Sequence, residues 1–109
     1  MQQQYYVYIL TNLYHTVLYT GVTRDVFGRV AQHKLGKGAR FTSRYHADKL
    51  VFYEAFDRIE AAIQREKQIK GGSRQKKIQL IESMNPKWKD LFEEMQARGA
   101  TIKFFSPPS

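Results

Sequence analysis

The sequence predicts an α+β domain built on a three-stranded, mostly antiparallel sheet flanked by helices. Three observations carry that expectation. Two segments rich in aromatic and β-branched residues, Tyr5–Leu10 and Leu18–Thr23, stand only a turn apart, as the arms of a hairpin do. A third such segment, Leu50–Phe56, comes after a helical stretch. From Asp57 onward, apolar residues recur at helical spacing. The order of elements is therefore ββαβααα. A chain of 109 residues has room for one hydrophobic core. One domain is expected over residues 1–97, including the last helix, with 98–109 as a tail.

Each element has a local reason. The Asn12–Thr16 connection is short and turn-like, which favours antiparallel pairing of the strands it joins. Thr23-Arg24-Asp25 supplies capping side chains for a helix from about Val26 to Leu35, and Gly36-Lys37-Gly38 stops it. The basic stretch from there to about Asp48 reads as irregular. Asp57 with Glu60 three residues on resembles a capping box, opening a helix over Arg58–Lys70 that Gly71-Gly72 ends. Ser73 caps a further helix, Arg74–Met84, which breaks at Asn85-Pro86. Trp88, Leu91, Phe92 and Met95 fall at helical spacing and predict a final helix. Beyond it, Ile102, Phe104 and Phe105 suit either core padding or a homodimer contact.

Composition narrows the function. There are 18 Lys+Arg against 10 Asp+Glu, a net charge of +8. A small domain this cationic attracts polyanions, and neutralising phosphates releases condensed counterions. Nucleic acid is the expected partner, although charge also aids solubility. The absence of cysteine excludes disulfides, thiolate zinc sites and cysteine nucleophiles. His15, His33 and His46 lack the close pairing of a zinc cluster. No apolar run is long enough to span a bilayer, and Met1-Gln2-Gln3-Gln4 does not open a signal peptide. No membrane association is expected, and the cytoplasm is the default compartment.

Two positions break the helical pattern. In the Arg58–Lys70 helix, Ile59, Ala62, Ile63 and Ile69 form an apolar stripe, and at about 100° per residue Glu66 falls inside it. A carboxylate there needs a cationic partner or a metal, and the pattern alone fits either. Arg29 and His33 stand four residues apart and share a helix face; a guanidinium fork suits a phosphoryl group and an imidazole can carry a proton. An ordinary solvated helix edge explains that pair equally well.

The first hairpin and the basic segments add further candidates. In the first strand Tyr6, Tyr8 and Leu10 point one way, and in the second Tyr19 shares a face with Gly21. A glycine inside a strand suggests close backbone approach. Lys34, Lys37, Arg40, Arg44 and Lys49 cluster around Phe41 and Tyr45, while Arg65, Lys67, Lys70, Arg74, Lys76 and Lys77 flank the next helix break. Cations with stackable rings suit a nucleic-acid backbone and exposed bases. Gly36-Lys37-Gly38 lacks the spacing of a phosphate-binding loop.

Taken in order, Tyr6-Val7-Tyr8, Leu18-Tyr19-Thr20-Gly21-Val22-Thr23, Arg29, His33 and Arg65-Glu66-Lys67-Gln68-Ile69-Lys70-Gly71 resemble the GIY-YIG nuclease superfamily, in particular its small stand-alone bacterial proteins. Asn85-Pro86-Lys87-Trp88-Lys89-Asp90-Leu91 also matches that subgroup. Tyr6 stands where the family name has Gly, Thr20 replaces the middle Ile, and Val22 sits where some members carry Lys. The resemblance implies a GIY-YIG endonuclease-like fold and metal-dependent cleavage of DNA, with DNA favoured over RNA, in settings such as DNA repair. It implies one Mg²⁺ or Mn²⁺ on Glu66, Arg29 stabilising transition-state charge, and Tyr8 or Tyr19 activating water with help from His33. Asn85 is a further catalytic candidate, though an Asn before Pro also serves as an ordinary cap. Lys34, Lys37, Arg40, Arg44, Lys67, Lys70 and Arg74 would contact nucleic acid. A module that binds DNA or RNA without cutting it is the alternative.

Overall fold

The computed structural model describes residues 3–38 and 40–99; the tail from residue 100 on, with Ile102, Phe104 and Phe105, lies outside them. Strands β1 (Tyr5–Thr11), β2 (Leu18–Thr23) and β3 (Lys49–Phe56) form one sheet in the order β2-β1-β3, with both pairings antiparallel. The expected α+β architecture is what the chain adopts. Asn12 ties the hairpin turn: its Oδ1 accepts from the Thr16 N–H at 2.8 Å and its Nδ2 donates to Thr16 Oγ1 at 2.6 Å. Among the described residues there are five helices, α1 (Val26–Lys34) and α2 (Arg40–Tyr45) before β3, and α3 (Ile59–Lys70), α4 (Arg74–Met84) and α5 (Leu91–Ala97) after it.

Alternation along β1, the central strand, divides the core in two. Tyr8 and Leu10 pack with Val26, Phe27 and Val30 of α1 and with Leu91 and Phe92 of α5, where the Phe27 and Phe92 rings stack at 4.4 Å. Val7 and Ile9 face the other way, against Ala62 and Ile69 of α3, Ile81 of α4 and Trp88. The β1–β3 register shifts between Ile9 and Leu10, which pair with Phe52 and Leu50 respectively. Val51 is thus the extra residue of a bulge, and it joins Phe52 in the second cluster.

The expected caps at Asp25 and Ser73 form, accepting from the Gly28 and Lys76 N–H groups. Other local expectations need correction. The stretch read as irregular contains α2, whose Thr42 is buried and whose Phe41 ring stacks on Tyr19, so tertiary contact rather than propensity makes this short helix. The capping box at Asp57–Glu60 does not form: Arg58 is the N-cap of α3 and no side chain caps it. Trp88 precedes α5 instead of joining it, taking a left-handed backbone (φ 56°) that lays its ring on His15 at 4.5 Å; Asp90 caps the helix. In the apolar stripe of α3, Ala62 and Ile69 are buried but Ile63 is exposed.

Candidate functional site

The hairpin register sets Tyr8 opposite Gly21 and Leu10 opposite Tyr19. Directly paired residues share a face, so both phenols look toward α1. The Tyr8 ring lies over Gly21: a Cβ there would stand 2.5 Å from the Tyr8 hydroxyl. This is the close approach the strand glycine suggested. The Tyr8 and Tyr19 ring centroids are 6.4 Å apart.

Helix α1 adds Arg29 and His33. The His33 ring is buried, 6.4 Å from Tyr8 and 6.0 Å from Tyr19. Its Nδ1 shares a 2.7 Å hydrogen bond with Thr42 Oγ1 of α2, in which either atom can donate. Gly38 closes over the same edge, and any side chain there would overlap Nδ1. Among the described residues, His33 Nε2 is the one buried side-chain polar atom without a hydrogen-bond partner. An unsatisfied buried nitrogen is expensive, and functional sites are where that expense is tolerated. Burial lowers the His33 pKa below its ordinary value, the Arg29 guanidinium adds to the effect, and Asp48 opposes it. The imidazole is therefore neutral at neutral pH. Arg29 is exposed, makes no ion pair among the described residues, and lines a small cleft with Thr23, Asp25, Gly28 and Gln32.

Glu66 approaches from α3. Its side chain is only 19% exposed, and its partner is the ammonium of Lys70, one turn on, at 3.1 Å. This carboxylate also acts on the Tyr8 phenol. Burial raises the Tyr8 pKa well above that of a free phenol; Tyr19 and Glu66 push the same way, and Arg29 opposes them. Both tyrosines, the guanidinium and the carboxylate are therefore within electrostatic reach of one hydroxyl. Lys70 is half-exposed, a cation that another cation can displace. No group of three potential metal ligands occurs among the described residues. A lone, mostly buried carboxylate fits magnesium, which keeps waters and binds through one or two carboxylates plus phosphate oxygens.

The remaining candidates divide. Asn85 is buried and closes the α4–α5 connection: its Nδ2 donates to the Val51 and Lys89 carbonyls, and its Oδ1 accepts from the Lys89 N–H. Both amide protons are thus committed to backbone. Lys34 is likewise drawn inward, paired with Asp90 at 2.6 Å and lying over the Phe92 ring. Arg74 donates to the His15 carbonyl at 2.7 Å, bracing the hairpin turn. Lys37, Arg40, Arg44 and Lys67 are exposed.

Sequence reasoning passed over Thr42 and Gly38 as site residues. Thr42 is nine residues from its histidine, joined to it only by the path of the loop. Gly38 did leave a signal, since one glycine suffices to stop a helix: Gly36 has the left-handed backbone (φ 76°), and Gly38 serves packing instead.

Residues 4–79 match the sequence family described as the GIY-YIG catalytic domain. The chain is similar to the UPF0213 protein of Haloquadratum walsbyi, 44% identical over 82 residues that cover 75% of this chain and 91% of that one. It is 46% identical to the UPF0213 protein of Natronomonas pharaonis, over 74% of this chain and 94% of that one. The solution NMR structure of the UPF0213 protein BH0048 from Bacillus halodurans matches the fold with a TM-score of 0.52 and 37% identity, covering 80% of this chain and 92% of that one.

Proposed function

The chain belongs to the GIY-YIG family of catalytic domains, a family of nuclease type, and on that premise we propose that it is a divalent-metal-dependent endonuclease hydrolysing DNA phosphodiester bonds. One observation carries the proposal. The Tyr8 ring, packed onto Gly21, stands 6.4 Å from both Tyr19 and the buried His33, whose Nε2 is unpartnered among the described residues, and the Arg29 and Glu66 charges act on the Tyr8 hydroxyl. A structural salt bridge would not require that company.

Glu66 would hold Mg²⁺ or Mn²⁺ in place of the Lys70 ammonium. Such an ion supplies positive charge on a phosphoryl oxygen. Arg29 binds the phosphoryl group through its fork and stabilises the negative charge that grows on it during attack. Tyr8 keeps its proton at neutral pH, so in the resting site it is a hydrogen-bond donor rather than a base. Its hydroxyl orients the attacking water, with Tyr19 beside it. When His33 Nδ1 donates to Thr42, Nε2 carries a free lone pair and, being neutral, accepts a proton from the tyrosine–water pair. Thr42 then acts through His33 as a positioning residue. Lys37, Arg40, Arg44 and Lys67 are available to the phosphates on either side.

Cleavage of plasmid, branched and single-stranded DNA is measured with Mg²⁺, with Mn²⁺ or with EDTA. Cutting should require the metal. Glu66→Gln should lose it by at least about a hundred-fold, while salt-sensitive binding in EDTA is retained. Undiminished cutting by Glu66→Gln would point to a contaminating nuclease. Binding without metal-dependent cutting of any substrate would leave a binding module.

A further inference from the structure

We propose that the cleft on the outer edge of β2 is a stacking subsite for one unpaired base, so that the substrate strand is single-stranded where it meets Glu66. The inference rests on the nuclease reading and names its substrate class. Helix α2 lays Phe41 nearly flat on Tyr19, with centroids 5.9 Å apart and planes at 25°. Tyr45 continues the series 4.9 Å from Phe41, and the Arg44 guanidinium lies 5.6 Å over the Tyr45 ring. Phe41 and Tyr45 are nevertheless 40% and 41% exposed. Scattered exposed aromatics are ordinary, but a run of three leading from the candidate site, with a cation over its end, is a platform.

The platform forms one side of a cleft. About 280 Å³ of space is lined by Leu18, Tyr19, Thr20, Phe41, Lys70 and Lys77. Lys77 is braced at its rim by the Gly72 carbonyl at 3.1 Å, and Lys70 is the residue that holds Glu66. The cleft therefore runs from the aromatic rings to Lys70, the ion-pair partner of Glu66, with cations and no acidic side chain among its lining residues. That charge suits a phosphate backbone. Its volume is close to the roughly 300 Å³ at which small-molecule sites begin, which gives room for a single planar base. A base inside a duplex has both faces covered by its neighbours, so only an unstacked one can lie on Phe41. A base seated there has Lys70 and Lys77 at hand for its phosphate, and Lys70 is the partner of Glu66.

The test uses the full chain carrying Glu66→Gln in EDTA, so that nothing is cut. A short DNA strand containing 2-aminopurine is titrated alone and in a blunt duplex at one salt concentration. The single strand should bind about ten-fold or more tightly than the duplex, and its fluorescence should be quenched by stacking. Adding Phe41→Ala should weaken binding by about ten-fold and remove the quenching, and Phe41→Trp should keep both. Equal affinity for duplex and single strand, or quenching indifferent to Phe41→Ala, overturns the subsite. Failure of the nuclease reading looks different: the strand is bound and quenched, yet the wild-type chain with metal does not cut it.

Discussion

The two faces of this small sheet differ in kind although the same strand supplies both. Toward α3 and α4, Val7, Ile9, Ile69 and Ile81 make a closed apolar cluster. Toward α1, Tyr8 joins Leu10, Val30 and Leu91, and with it stand Tyr19, a buried imidazole and Arg29, which makes no ion pair among the described residues. The period of two in a strand places these sets back to back, and a slip of one residue would exchange them. The closed face fixes the register; the register then holds two phenols and a glycine where their positions matter. Both faces carry apolar core, but the candidate phenols and imidazole lie toward α1 while Glu66 stands on α3, so mutations in the closed cluster and mutations at the site should separate stability from chemistry.

The largest effect on folding should come from the closed face. Ile81→Ala removes a fully buried side chain and should lower the unfolding free energy by about 2–5 kcal/mol. Denaturant melts measure it, and the surviving folded protein should cut at nearly the wild-type rate. A comparable loss of activity per folded molecule would mean that the faces are not independent. Gly21→Ala should do the reverse. The new methyl meets the buried Tyr8 ring, which has to shift within the core, so stability should fall by about 1–3 kcal/mol. Cleavage should nevertheless drop by roughly a hundred-fold, the effect of misplacing a group by about 1 Å. Wild-type kinetics in Gly21→Ala would remove Tyr8 from the chemistry.

The same division explains what the sequence made legible. Strands, the α1, α3 and α4 spans and two caps rest on local periodicity and short-range hydrogen bonds, which neighbouring residues determine. Glu66 was visible because a charge interrupts an apolar stripe, and Gly21 because glycine interrupts a strand. Helix α2 was hidden: its six residues have no apolar period and are held by Tyr19 and His33 from elsewhere in the chain. Trp88 misled for the opposite reason, since its helical spacing is real but its ring is claimed by His15. The exposure of Ile63 was also out of view, because a stripe says which residues share a face and not how far the neighbouring sheet extends. Asn85 and Lys34 were chosen for their chemistry, and only the fold reveals that backbone carbonyls and Asp90 engage them.

The smallest expected effect separates the two faces by titration. His33 has a lowered pKa through burial and Arg29, against the pull of Asp48; His15, stacked on Trp88 near the closed cluster, is lowered through burial and Lys49. When the folded pKa lies below the unfolded value, the unfolded chain takes up the proton first. Stability is then fully present above about pH 6.5 and declines as pH falls from there toward the folded pKa. Both histidines act with this sign, so wild-type melts should show a decline smaller than the loss from Ile81→Ala. His33→Gln should remove the larger share of the slope and His15→Gln the smaller, because His33 is buried and His15 only half so. A slope that survives His33→Gln intact would place the imidazole in water-like surroundings in solution. It would also deprive the site of the neutral, unsatisfied Nε2 on which the proposed proton transfer depends.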